Sequence, residues 1–287
     1  MNKQKHNSYR KKNALFAIFI SSSISLLSAC SGLSQDTTVG WSAQQLYDAG
    51  KADLQAAGYT SAANYYTKLL SRFPYGKLAQ QALLDLAYVY YKAGEPEKAI
   101  EKLDEFIKTY PQHPYIDYAL FMRGVVEYEK NVNVFDKLMP KNLSQTDPES
   151  LKKAFNTFAV LVEKYPQSKY AEDARYRMVF IKNLLAEHYL ETANYYLRHG
   201  SYVAAAARGK QILEEYQQTP STPYALAIMY RAYKELGEQT IADDTMRILQ
   251  HNFADKLNDK EMQELINGDV SKQRGFIGTI RAKPKIN

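Results

Sequence analysis

From about residue 41 onward the chain repeats one mark of punctuation, and this constrains its fold more than any other feature. Arg72-Phe-Pro-Tyr-Gly, Thr109-Tyr-Pro-Gln-His, Lys164-Tyr-Pro-Gln-Ser and Gln218-Thr-Pro-Ser-Thr each place a proline after one amphipathic run and before the next. Proline cannot continue a helix, because it lacks the N–H and its ring clashes with the preceding turn, but it can open one. The runs themselves have helical period. In Glu97–Tyr110, Ala99, Ile100, Leu103, Phe106, Ile107 and Tyr110 fall on one stripe. Lys98, Glu101, Lys102, Asp104, Glu105 and Lys108 fill the opposite face. Asp147-Pro148 and Thr222-Pro223 have the form of an N-cap followed by a first-turn proline.

The runs ahead of the prolines share an internal order of one small and two larger residues: Ala62/Tyr66/Leu69, Ala99/Leu103/Phe106 and Ala154/Phe158/Leu161, with weaker versions at Ala205/Gly209/Ile212 and Ala242/Met246/Leu249. A small residue lets two helices approach, and the larger ones fill the space behind it. The order resembles the second helix of a tetratricopeptide repeat. Leu83, Leu86, Ala87 and Tyr90, and Leu226, Met229, Tyr230 and Tyr233, match first helices, with turn glycines at Gly58, Gly94, Gly200 and Gly237. The expected fold is therefore all-α, a tetratricopeptide-repeat-like solenoid of about five helix pairs. Two interruptions stand out. Pro74 to Pro111 is 37 residues, Pro111 to Pro166 is 55, and Pro166 to Pro220 is 54. The first excess predicts a loop insertion near 131–153. The second predicts an elongated helix near 169–199, straight or slightly bent.

The first thirty residues have a different character. Lys3, Lys5, Arg10, Lys11 and Lys12 precede the apolar Ala14–Ile20, and small residues lead to Leu27-Ser28-Ala29-Cys30. This is the layout of a secretory signal peptide over 1–29. The four residues ending at Cys30 resemble a bacterial lipobox, with Cys30 as the lipidated residue and 30–40 as a flexible tether. Ser31, rather than aspartate, after the cysteine implies sorting to the outer membrane. The formal charge of +6 falls to +1 once those five basic residues are removed, so a nucleic-acid partner is not expected. Cys30 is the only cysteine, which leaves no pair for a disulfide or a zinc site. The histidines His6, His113, His188, His199 and His251 have no metal-ligand spacing, and no phosphate loop or nucleophile elbow is present. No enzyme activity and no cofactor are expected.

A solenoid offers instead the surface built by its first helices. That surface should include Tyr47, Lys51, Tyr88, Tyr91, Lys92 and Tyr128, each as a binding residue or as part of the repeat packing. Arg208, in a stretch of small residues, should project outward, where it can meet a partner carboxylate, stay solvated or pair within its own repeat.

In order along the chain, Arg72-Phe-Pro-Tyr-Gly, Ile116-Asp-Tyr with Met122-Arg-Gly124, Asp147-Pro, Tyr165-Pro-Gln-Ser-Lys-Tyr, Val179-Phe-Ile-Lys, and Ala193-Asn-Tyr-Tyr with Gly200-Ser-Tyr-Val-Ala resemble the BamD family of lipoproteins. These belong to the outer-membrane β-barrel assembly machine, and the resemblance covers roughly residues 40–250. It implies an outer-membrane lipoprotein facing the periplasm. Its N-terminal repeats (41–130) would bind unfolded outer-membrane proteins, with Phe73, Tyr75 and Gly76 at the substrate end. Its C-terminal repeats (131–252) would bind a BamA-like insertase, with Arg208 at that end. An accessory lipoprotein is a further implied partner. Residues 253–287 depart from the family and read as an extra helix and a basic tail carrying Lys272, Arg274, Arg281, Lys283 and Lys285. The alternative is another periplasmic repeat lipoprotein, such as a pilus-assembly pilotin or a cell-division coordinator. Uninterrupted repeats would suit that alternative better than the two interruptions found.

Overall fold

The computed structural model describes residues 36–130 and 147–268. The signal peptide, Cys30, most of the expected insertion and the basic tail lie outside those residues. Contacts divide the chain after Ser42. In the leading unit, Asp36 closes a turn by accepting from the Thr38 amide (3.1 Å) and hydroxyl (2.7 Å), and the Trp41 amide follows onto the Thr38 carbonyl. The described end of the expected tether is thus a hydrogen-bonded turn.

From Ala43 on, the body is all-α, with eleven α-helices and no strand among the described residues. They are α1 (Ala43–Gln55), α2 (Tyr59–Arg72), α3 (Lys77–Lys92), α4 (Pro96–Thr109), α5 (Ile116–Glu129), α6 (Pro148–Lys164), α7 (Ala171–Arg198), α8 (Tyr202–Glu215), α9 (Thr222–Glu235), α10 (Gln239–Asn252) and α11 (Lys260–Asn267), with a 3-10 turn at Ala254–Lys256. Each helix from α1 to α9 packs against the next. First helices also touch the first helix of the following repeat, as α1 does α3 and α7 does α9. Five helix pairs result. α11 lies against α9, burying Met262, Leu265 and Ile266, and the Arg231 guanidinium donates to the Ile266 carbonyl at 3.2 Å.

The small-large-large order fills the interior as expected. Ala62, Tyr66 and Leu69, Ala99, Leu103 and Phe106, and Ala154, Phe158 and Leu161 are all essentially inaccessible. The last version shifts by one position: Thr245 is buried between Ala242 and Leu249, while Met246 is half-buried. Close approach has a specific cost at Gly124, where a Cβ would stand 2.5 Å from the Phe158 ring. Asp147 does cap α6, accepting from the amides of Glu149 and Ser150 at 3.2 Å each. The insertion therefore ends before Pro148, and 148–153 is helix rather than loop. Thr222 is not a cap. It is the first residue of α9, and its hydroxyl donates to the carbonyls of Tyr216 and Gln217. Gly94, Gly200 and Gly237 take positive φ in their turns, but at the first turn that role falls to Ala57 (φ 58°), and Gly58 stays at −79°.

What ends each second helix is an aromatic residue. Phe73, Tyr110, Tyr165, Tyr216 and Phe253 share φ between −127° and −140°, and each donates its amide to the carbonyl four residues back. Proline follows directly in the first three, but after Tyr216 it is delayed to Pro220. Measured between aromatic caps, the long interval from Tyr165 to Tyr216 is 51 residues rather than the 54 between prolines. Its excess of 14 over the 37 from Phe73 to Tyr110 is accounted for by α7, which has 28 residues where α5 and α9 have 14. The elongated helix is continuous from Ala171 to Arg198.

Candidate functional site

The first helices carry a stripe of tyrosines and carboxylates that crosses repeat boundaries. The Tyr47 hydroxyl of α1 donates to Asp85 of α3 at 2.8 Å, and the Tyr91 hydroxyl of α3 donates to Glu129 of α5 at 2.7 Å. Both pairs are 38 residues apart, one more than the 37-residue repeat, so each joins nearly matching positions of successive repeats. Burial raises the pKa of both phenols, and the carboxylate partner adds to the shift in each case. Both hydroxyls therefore stay protonated and act as donors. Burial also pushes the Asp85 carboxyl up, against the pull of its donors Tyr47 and Gln81 and of the Lys51 charge.

Aromatic contacts extend the stripe. Tyr47 leans on Tyr66 (5.8 Å between ring centres), Tyr88 on Tyr91 (6.3 Å), and Tyr128 meets Phe180 of α7 edge-on at 6.3 Å. Arg177 of α7 lies over Phe121 at 5.7 Å, held by Asp173 at 3.1 Å, and its charge opposes the upward shift of Tyr91 and Tyr128. The expected groove residues Tyr47, Tyr88, Tyr91 and Tyr128 thus come together, half-buried, with Lys51 and Lys92 exposed beside them. Each of these tyrosines is partly packed and partly exposed, so the packing reading holds for part of each ring. Asp85, Glu129 and Arg177 were not anticipated. The signal of the two acids in the sequence is the repeated 38-residue interval from a tyrosine, and Arg177 has no such mark.

Phe73, Tyr75 and Gly76 lie apart from that stripe, in the turn between α2 and α3. Phe73 caps α2, Gly76 opens α3 at φ 98°, and Tyr75 is 87% exposed. Arg208 is exposed on α8, as expected, but it is engaged within its own helix. Its guanidinium donates to Gln211 (2.9 Å), whose amide in turn donates to Glu215 (3.1 Å). Among the described residues no helix is long and apolar enough to cross a membrane.

These features define a helical-repeat protein with an aromatic, hydrogen-bonded face on its first helices. The family model described as outer membrane lipoprotein matches residues 41–248, which spans the five helix pairs up to the last turn of α10. The chain belongs to the BamD family. It is 41% identical to the outer membrane protein assembly factor BamD of Neisseria meningitidis serogroup B over 75% of this chain and 81% of that one. It is 34% identical to the factor of the same name from Vibrio cholerae, over 80% and 95%. A solved tetratricopeptide repeat protein from Parabacteroides merdae aligns over 79% of this chain and 72% of that one, with 15% identity and a TM-score of 0.37, a likeness too loose to bear on the argument.

Proposed function

We propose that this chain serves outer-membrane protein assembly as a non-enzymatic, cofactor-free scaffold. It is anchored through lipid on Cys30 to the periplasmic leaflet of the outer membrane. Its N-terminal first helices hold unfolded outer-membrane proteins, and its C-terminal repeats hold a BamA-like insertase. The observation that carries the reading is the tyrosine stripe on the first helices of a chain whose relatives are named outer membrane protein assembly factors. Tyrosine offers amphipathic contact area with few rotors to freeze. A stripe that continues from α1 to α7 suits an extended client.

Tyr88 is the sharpest probe, because it is half-buried and its neighbour Tyr91 already has its hydroxyl committed to Glu129. Truncating a good aromatic anchor costs about 2 kcal/mol or more. Tyr88→Ala should therefore weaken binding of a C-terminal peptide from a barrel protein by roughly thirtyfold, read by fluorescence anisotropy, with helicity unchanged. Unaltered affinity would place the client elsewhere. The Arg208 guanidinium could exchange Gln211 for a partner carboxylate at little cost, and this supports Arg208 as the contact toward the insertase.

A further inference from the structure

A cleft of about 310 Å³ opens between α6, α7 and the end of α8, lined by Lys152, Phe155, Asn156, Lys182, Leu185 and Tyr216, with Glu215 beside them. It is separate from the tyrosine stripe. On α7, Lys182 stands five residues beyond Arg177, which at about 100° per residue is roughly 140° around the helix. Ligand sites span roughly 300–1,000 Å³, so this one has room for one or two side chains but not for a helix.

The chemistry of the lining is specific. Lys182 is half-buried and has no hydrogen-bond or ion-pair partner among the described residues, and neither has the exposed amide of Asn156. Lys152 is paired with the exposed Glu149 at 3.4 Å and hydrogen-bonded to the Tyr189 side chain, its ammonium 6.0 Å from the centre of that ring. That ring stacks on Tyr216 with centres 5.6 Å apart. The one carboxylate in the lining, Glu215, already accepts from Gln211. Two cations and an amide are thus available to an anion, and Phe155, Leu185 and Tyr216 supply an apolar floor beside them. The ammonium of Lys152 is further held in its charged form by Tyr189.

We propose that this cleft is a contact site for a partner polypeptide presenting a carboxylate side chain next to an aromatic one, with the carboxylate between Lys152 and Lys182 and the ring on Phe155, Leu185 and Tyr216. Charge complementarity selects the acidic group, and the aromatic floor selects its neighbour over a plain acidic run.

The test uses the full mature protein in detergent micelles and a fluorescein-labelled peptide, Gly-Ser-Asp-Phe-Asp-Phe-Gly-Ser, amidated so that it carries no terminal carboxylate. Saturable binding is expected, at least about tenfold tighter than that of the Asn-Phe-Asn-Phe counterpart. Lys182→Glu should weaken it by about tenfold or more, and the exposed Asn156→Asp should weaken it in the same direction without disturbing packing. Tyr88→Ala should leave it unchanged, which separates this site from the client-binding face. Absence of binding, equal affinity for the neutral peptide, or full affinity in both charge variants with unaltered melting temperatures would overturn the assignment.

Discussion

Between α1 and α5 the repeats are joined by hydroxyl-to-carboxylate hydrogen bonds, Tyr47 to Asp85 and Tyr91 to Glu129. Between α7 and α10 they are joined by small and apolar residues. Ala205, Ala206 and Gly209 of α8 are buried, and every residue from Ser221 to Met229 is out of solvent. The difference has a physical consequence. A tyrosine that hydrogen-bonds through its hydroxyl fixes its ring in place yet leaves part of a ring face uncovered, so the first repeats are both joined and receptive. A junction closed by alanine and glycine has no such surface to offer, because its stability comes from removing that surface from water. The N-terminal repeats leave hydrogen-bonded aromatic groups partly exposed on their first helices, and the C-terminal repeats close that junction with small and apolar residues.

The largest effect should come from overfilling the apolar junction. A Cβ on Gly209 would stand 2.5 Å from Met229 Cγ and 3.1 Å from the Ala225 carbonyl oxygen, and backbone cannot yield as a side chain can. Gly209→Leu should cost about 3 kcal/mol, at the upper end for overpacking, and calorimetry should show a clearly lowered melting temperature. A melting temperature at the wild-type value would mean that this end is not tightly closed.

A smaller effect is expected at the polar junction. Asp85→Ala strands the Tyr47 hydroxyl but also removes a carboxylate that is costly to bury, so the net loss should be about 1 kcal/mol. The pH dependence has a defined sign. The folded pKa of Asp85 lies above its unfolded value. Its contribution therefore favours the fold below the ordinary aspartate range and declines as pH rises through the raised value. Denaturant titrations across that range should show the decline in the wild type and a flatter profile in Asp85→Ala. Identical profiles would mean that Asp85 is not buried as described.

The smallest effect belongs to the exposed turn. Tyr75 is 87% accessible, so Tyr75→Ser should change stability by no more than about 0.5 kcal/mol. A larger loss in urea melts would show that this turn is part of the packing rather than a free surface.

The helices, the five-pair architecture and the long helix were legible because each rests on local periodicity. The interval between prolines overstated the fourth repeat by three residues because proline only forbids a helix from continuing. The residue that turns the backbone is the aromatic cap, and at Tyr216 the two are four positions apart. The tyrosines of the first-helix stripe could be named from their helical positions, but Asp85 and Glu129 could not. An acid on an amphipathic helix looks like solvent-facing polarity until a hydroxyl from 38 residues earlier is brought against it. Arg208 was read correctly as exposed. Its bond to Gln211, three residues on along the same helix, is the pairing within its own repeat that the sequence left open beside a partner contact.

The doubling of α7 adds 14 residues, which at about 3.6 per turn is just under four whole turns. α8 therefore leaves the long helix on nearly the bearing it would have had from a helix of ordinary length, about 40° short of it, while being carried roughly 21 Å farther along. The repeat array is thus slid rather than rotated, like a spiral stair in which one tread is replaced by a landing and the climb resumes facing almost the same way. Shortening the landing by 7 or 11 residues would keep the stair climbing in roughly its old direction, whereas removing 5 or 9 would turn everything above it about half a revolution away.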